Sequence, residues 1–406
     1  MARAGQSKYD PPDSASSVGW TRSSSMRLAT VEHPFRLESG ARLGPVDVEY
    51  ETYGTLSEQR DNVVLIAHAL SGDAHVAGWD AEAESTGRQW RLRKPGWWDA
   101  MVGPGKPVDT ECYFVVCANV LGSCYGTTGP ASISPHTGDA YGEDFPIVTI
   151  GDWVRLQAHL LDRLDIKRLH AVVGGSLGGQ QALEWALAFP DRVERCIVLA
   201  ASSRLSTQGL AFNAVGRYSV MHDPGFKQSS DGAKHGLAAA RMLAHITYLS
   251  DTAMYEKFGR RLQDKESPDF DFGIEFEVES YLDYQGRTFV ERFDDTSYLY
   301  ISRAMDYYDA AHLWGQGDLV KAVSRLQCNT MVVSFASDWL YPPEQCRDLA
   351  LAISRSGRPV TYIDVDSRYG HDAFLVETDA VGRLLRGFLR SEWRSGAPLS
   401  TGGPDQ

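Results

Sequence analysis

One stretch, VVGGSLGGQQALEWALAFP from Val172, constrains this chain more than any other. An apolar run enters it, four glycines crowd around Ser176, and a helical pattern leaves it. Gly174 to Gly178 match G-x-S-x-G, which places a serine on a sharp, strained strand-to-helix turn. Glycine is required there for a steric reason, because side chains beside the serine would collide with the adjoining strand or helix. The helix QQALEWALAF then points its N-terminal amides and positive dipole end toward Ser176, an arrangement suited to an oxyanion. The plain alternative is a glycine-rich turn holding an inert serine. A buried strand before the motif and a helix after it favour a nucleophile.

A serine hydroxyl attacks poorly at neutral pH unless a base, oriented by a third group, takes its proton. On a strand–turn–helix of this kind the expected chain order is Ser, then Asp or Glu, then His, each after a strand. Asp338 directly follows MVVSFAS, and His371 follows VTYIDVDSRYG. Position sorts His371 from the other ten histidines. Asp364 and Asp366 compete for the acid role, but they lie within and at the end of the strand leading to His371 and are too local to reach around it. The backbone N–H of Leu177 and that of Leu70, in AHALSGDAH, are the candidate oxyanion donors. His68 and His75 in the same loop lack a third clustered ligand, so no metal site is expected and the loop is read as shaping the pocket floor.

Strand-like and helical segments alternate along the chain. DVEYETYGTL, NVVLIAHAL and CYFVVCANVLG read as strands, and LHAVVGG, CIVLAAS, TMVVSFAS and VTYIDVD as buried strands. IGDWVRLQAHLLDRL places Trp153, Leu156, His159, Leu160 and Leu164 on one helical face, with Asp152 as the cap. A terminal helix is expected from about Ala373 to Trp393. The predicted fold class is α/β: a mostly parallel sheet with helices on both faces. Between Ser203 and about Leu326 the alternation breaks into helical patterns, GLAAARMLAHITYL, TAMYEKFGRRL and TSYLYISRAMDYYDAAHLW, read as a helical lid insertion. The expected organisation is a core over 37–204 and 312–393, a lid over 205–311, and flexible tails over 1–26 and 394–406.

The 406 residues suit one large domain with an insertion, and a hydrophobic content of 43% supplies a large core. A net charge of −13 argues against nucleic-acid or anionic-membrane partners, while leaving room for a local basic pocket that holds an anionic cosubstrate. No apolar run approaches the roughly 20 residues needed to span a bilayer, and the N-terminal stretch lacks a signal's apolar region. Six scattered cysteines without a C-x-x-C pair read as free thiols in a reducing cytoplasm.

HALSGDAH, NVLGSCYGTTGP, DFPIVTIGDWVRLQ, GGSLGGQQALEWA, ARMLAHITYLSD, FEVESYLDYQG, SDWLYPPEQ and YGHDAFL together resemble the homoserine O-acyltransferases of the α/β-hydrolase superfamily, the acetyl-CoA-dependent members in particular. The likeness runs from about Leu37 to Trp393. It implies an α/β-hydrolase fold and a ping-pong transfer from acetyl-CoA, a cosubstrate, to L-homoserine on the route to methionine, with no bound cofactor. Ser176, Asp338 and His371 would be the triad, Arg241 would hold the homoserine carboxylate, and Asp372 its amino group. Related succinyltransferases carry an arginine two places after the catalytic aspartate, where this chain has Leu340. A leucine offers no partner to a buried succinyl carboxylate, so acetyl is the expected donor group. Where many relatives have Ser-Met-Gly-Gly this chain has Ser176-Leu177-Gly178-Gly179, a neutral change. The resemblance also implies a homodimer paired through the insertion. Succinyl transfer, L-serine as acceptor, an esterase and a non-catalytic member of the fold are the competing readings.

Overall fold

The computed structural model describes residues 9–227 and 232–391. Eight strands form its main sheet: β1 (Ser24–Ala29), β2 (Val46–Tyr53), β3 (Val63–Ala67), β4 (Phe114–Ala118), β5 (Ala171–Gly175), β6 (Arg195–Leu199), β7 (Asn329–Phe335) and β8 (Val360–Val365). Their spatial order is β8-β7-β6-β5-β3-β4-β2-β1, with β3 to β8 parallel and β2 antiparallel to both its neighbours. The central strands are buried along their whole length and consist mostly of Val, Ile, Leu and Ala, as a sheet covered on both faces demands. β8 departs from the expected buried strand: at the sheet edge, its residues remain partly exposed.

The helices are α1 (Ile150–Arg163), α2 (Leu177–Ala188), α3 (Thr207–Met221), α4 (Lys234–Tyr248), α5 (Asp251–Phe258), α6 (Glu277–Val290), α7 (Asp295–Tyr307), α8 (Ala310–Gly315), α9 (Leu319–Val323), α10 (Pro343–Arg355), α11 (Ala373–Val376) and α12 (Thr378–Arg390). In α1 the cap is Thr149 and not Asp152. Asp152 sits three residues in and completes a capping box with Thr149. His159, expected on the buried face of α1, is exposed, while Val154 and Gln157 are buried. The expected single terminal helix is broken at Glu377, between α11 and α12.

Helices α3 to α9 lie in the interval between β6 and β7. The expected helix over TSYLYISRAMDYYDAAHLW is two, because Tyr308 turns extended and Asp309 caps α8. The expected core boundary at 311/312 falls inside α8. The insertion closes at its base, where an isolated bridge and a 3.1 Å ion pair join Arg204 to Asp309.

The expected tail over 1–26 needs correction. Trp20 and Thr21 pair with Trp79 and Asp80, the Trp79 indole donates to the Asp10 carbonyl, and β1 begins at Ser24. Its Ser-rich composition suggested flexibility, but β2 offered an edge for it to pair with. Residues 1–8 and the expected tail over 394–406 lie outside the described residues. All six cysteines are free, four of them buried.

Helix α2 packs its whole length into the core, Glu184 included. Burial pushes the Glu184 carboxyl up to about 8, although Trp314 Nε1 donates to its Oε2 at 2.9 Å. The folded chain therefore holds a proton on Glu184 that the unfolded chain loses near pH 4.5, so stability falls as pH rises from about 4.5 to 8. Glu184→Gln keeps an acceptor for Trp314 and removes this dependence. Its melting temperature relative to wild type is expected to rise progressively across that window, as read by thermal unfolding at each pH.

Candidate active site

The elbow is built by close backbone approach. Ser176 has φ 57° and ψ −127°, a strained conformation for a residue with a side chain. A Cβ on Gly174 would lie 2.0 Å from the Gly178 carbonyl oxygen, and one on Gly178 would lie 2.1 Å from that of Ala67 in β3. Only glycine lets α2 start this close to the sheet. Ser176 precedes α2 and its hydroxyl makes no capping bond, which leaves it available in the cavity it lines. Leu177, the first residue of α2, carries an amide with no intrahelical acceptor. Its side chain is fully buried in the core.

Asp338 follows β7 and His371 follows β8, so the parallel strands bring both to the same edge as Ser176. Asp338 Oδ2 lies 2.8 Å from His371 Nδ1, and its Oδ1 accepts from the backbone amides of Leu340 and Tyr341 at 3.0 and 2.9 Å. The carboxylate is thereby held by three contacts before any substrate arrives. The competing Asp364 accepts instead from Ser334 Oγ at 2.7 Å, within the sheet. Tyr341 stacks on the His371 ring, and Tyr248 and Phe374 pack beside it. Burial by itself would lower the His371 pKa, but the Asp338 charge and hydrogen bond, helped by Asp372, more than offset it and raise the value. Nε2 of His371 is buried and makes no hydrogen bond. Ser176 and His371 line the same cavity but are not yet hydrogen-bonded, a contact that commonly tightens only when substrate binds.

That cavity measures about 210 Å³ and is also lined by Leu70, Leu340, Arg241 and Asp372. Arg241 reaches in from α4, lying over the rings of Phe289 and Tyr248, with Nη1 3.4 Å from Ser71 Oγ and Nε unpartnered. Burial pulls its pKa down, and burial raises that of Asp372. Among the described residues neither group forms an ion pair within 4 Å, though each feels the other's charge. The cavity thus presents a free guanidinium and a free carboxylate beside a serine and a histidine.

His68 and His75 serve the loop itself. His68 accepts from the Val120 amide and bonds the Ala69 carbonyl, while His75 meets Glu51 at 3.2 Å. Of the loop, Ala69, Leu70 and Ser71 line the cavity. Sequence reasoning missed the aromatic walls, Tyr248, Phe289, Tyr298 and Tyr341. No local signal separates a cavity tyrosine from a core one.

Fold and site together define an enzyme of the α/β-hydrolase fold, equipped for acyl transfer through serine. Residues 62–378 match the α/β-hydrolase fold family model. A homoserine O-acetyltransferase of Methanohalobium evestigatum is 50% identical over 87% of this chain and 71% of its own length. Among solved structures, homoserine O-acetyltransferase from Bacillus anthracis superposes with a TM-score of 0.83 at 27% identity, covering 93% of this chain and 99% of that one. Esterase E22 follows with a TM-score of 0.80 at 28% identity, covering 91% and 100%. The chain belongs to the homoserine O-acetyltransferase family.

Ser176→Ala is expected to abolish turnover with the far-UV dichroism unchanged, and Asp338→Asn to lower kcat by about 10³- to 10⁴-fold. Since the base must be unprotonated, kcat/KM should rise with pH through a midpoint above the ordinary histidine value. In Asp338→Asn that midpoint should fall. A midpoint that ignores the substitution would remove His371 from the base role.

Proposed function

We propose that the protein transfers the acetyl group of acetyl-CoA to the hydroxyl of L-homoserine, releasing CoA and O-acetyl-L-homoserine for methionine synthesis. The observation that carries this reading is the pair of unpaired opposite charges, Arg241 and Asp372, in the cavity of Ser176 and His371. A free amino acid carries the complement of that pair. The guanidinium can take its carboxylate through two parallel hydrogen bonds, and Asp372 its ammonium.

The reaction runs in two halves. His371 Nε2 takes the Ser176 proton as Oγ attacks the thioester carbonyl, and the Leu177 and Leu70 amides receive the oxyanion. The C–S bond breaks, CoA leaves with the proton from His371, and acetyl-Ser176 remains. The homoserine hydroxyl, held by Arg241 and Asp372, gives its proton to His371 and attacks the acetyl carbon. Collapse breaks the ester to Ser176, which recovers the proton. The chemistry needs no metal or bound cofactor beyond acetyl-CoA as cosubstrate.

Leu340 lines the cavity two residues after Asp338 and presents no cation to a succinyl carboxylate. The likeness to esterase E22 keeps hydrolysis as a second reading, because water can attack the same acyl-serine. We also place the protein in the cytoplasm, in keeping with its free cysteines, and infer a homodimer. No helix among the described residues is long and apolar enough to cross a membrane. The exposed face of α3, with Leu210, Tyr218 and Met221 at helical spacing, supports pairing through the insertion.

A thiol dye reports CoA release with and without acceptor. Release that requires homoserine, exceeds that with L-serine, and prefers acetyl-CoA to succinyl-CoA by about 100-fold or more in kcat/KM is expected. Release indifferent to homoserine would establish the hydrolase, and preference for succinyl-CoA would overturn the argument from Leu340. Arg241→Ala should raise the homoserine KM by about 30-fold or more, the cost of an unpaired buried carboxylate. Tyr218→Glu should shift the mass in light scattering from dimer toward monomer.

A further inference from the structure

The turn between α4 and α5 is clasped by the two loops that carry the acid and the base. Trp339, next in the chain to Asp338, donates its indole N–H to the Leu249 carbonyl at 3.0 Å. That carbonyl lies just past the end of α4, where intrahelical donors have run out. Ser250 caps α5 by accepting from the Ala253 amide at 3.0 Å, and its hydroxyl donates to the Arg368 carbonyl in the loop before His371. The base loop also meets this turn backbone to backbone. Gly370 has φ 66°, and a Cβ on it would lie 2.6 Å from the Ser250 amide nitrogen and 2.7 Å from the Tyr248 carbonyl oxygen. Ser337 Oγ accepts from the Gly370 amide at 2.9 Å and joins the two loops to each other.

What this junction controls is the place of α4. Arg241 stands two helical turns before Tyr248, about 10 Å along the axis. Its guanidinium lies over the rings of Tyr248 and Phe289 and 3.4 Å from Ser71 Oγ, contacts that leave it free to slide. Tyr248 also packs beside the His371 ring, with centroids 5.9 Å apart. The separation of guanidinium and imidazole is therefore set where α4 ends, and the indole ties that end to the acid loop. The same indole meets Phe212 of α3 edge-on at 5.5 Å. We propose that Trp339 is a positioning residue for the acceptor. Its N–H fixes α4 along its axis, so that an amino acid gripped by Arg241 presents its hydroxyl to His371 Nε2. The acid does not depend on the indole, because Asp338 is held by His371 and by the Leu340 and Tyr341 amides. Trp339 thus bears on the second half-reaction, which uses the acceptor, and not on the first, which precedes it. This inference rests on the homoserine reading of the inner site.

Rapid-mixing kinetics separate the two halves. A thiol dye follows the first, the burst of CoA from acetyl-CoA without acceptor. Mass spectrometry of the quenched chain follows the second, the loss of acetyl from Ser176 on adding L-homoserine. Trp339→Phe keeps a ring against Phe212 and removes the N–H. Its burst rate is expected to stay within about twofold of wild type while transfer to homoserine falls about tenfold or more, as a misplacement of about 1 Å can cost about 100-fold. Trp339→His, which retains a ring N–H, should recover part of the transfer rate. In the Arg241→Ala background Trp339→Phe should lower transfer by less than about twofold, because no grip is left to misplace. Equal losses in both halves, an unchanged transfer rate, or a full-sized loss without Arg241 would overturn the proposal. A wild-type chain that releases the burst but whose acetyl-serine ignores homoserine would refute the reaction itself, before any variant is compared.

Discussion

The structure depends on backbone contact between the start of α2 and the strands beneath it. Gly174 and Gly178 touch each other's backbone, and Gly178 also meets the Ala67 carbonyl, at separations no Cβ would survive. This contact forces Ser176 to positive φ and lifts its hydroxyl above the sheet. The strain is offset by the packing of α2, whose residues Leu177 to Leu187 are buried throughout. Position and orientation of the serine are therefore consequences of core packing, not of any contact made by the serine side chain.

Around that point the protein spends polar interactions on rigidity where loops must hold still. Arg91, almost fully buried, meets Asp73 at 2.5 Å and Asp80 at 2.7 Å, and Glu51, beside it, meets His75. These paired charges anchor the stretch from His68 to Asp80 that supplies the Leu70 side of the cavity. Arg241, Arg292 and Asp372 have no such partners. The contrast separates charges compensated where they shape a loop from charges left without an ionic partner around the cavity.

The insertion supplies the cavity wall that carries Arg241. Without α4 and α6 the triad edge would be a shallow groove open to water. With them, Tyr248 and Phe289 wall in the guanidinium, and Ser71 joins the loop after β3 to both Arg241 and Arg292. Shielding from water strengthens each charge inside such a cavity.

Much of this was legible in the chain itself. Runs such as VVLIA and CIVLA are apolar enough to demand burial on both faces, and G-x-S-x-G after one of them announces the elbow, because these signals are local. Chain order sufficed to select Asp338 and His371. Order along β8, α11 and the N-terminal segment was misread, since the deciding partners are distant in sequence: β2 pairs with β1, and the sheet edge leaves β8 half exposed. The helices α3 and α6 escaped notice because Gly and β-branched residues blur their periodicity. What only the tertiary structure decided is which charges end up alone. Arg91 and Arg241 look alike in sequence, and the fold buries one against two carboxylates and the other against aromatic rings and a hydroxyl, because charge compensation depends on groups brought together from far apart along the chain.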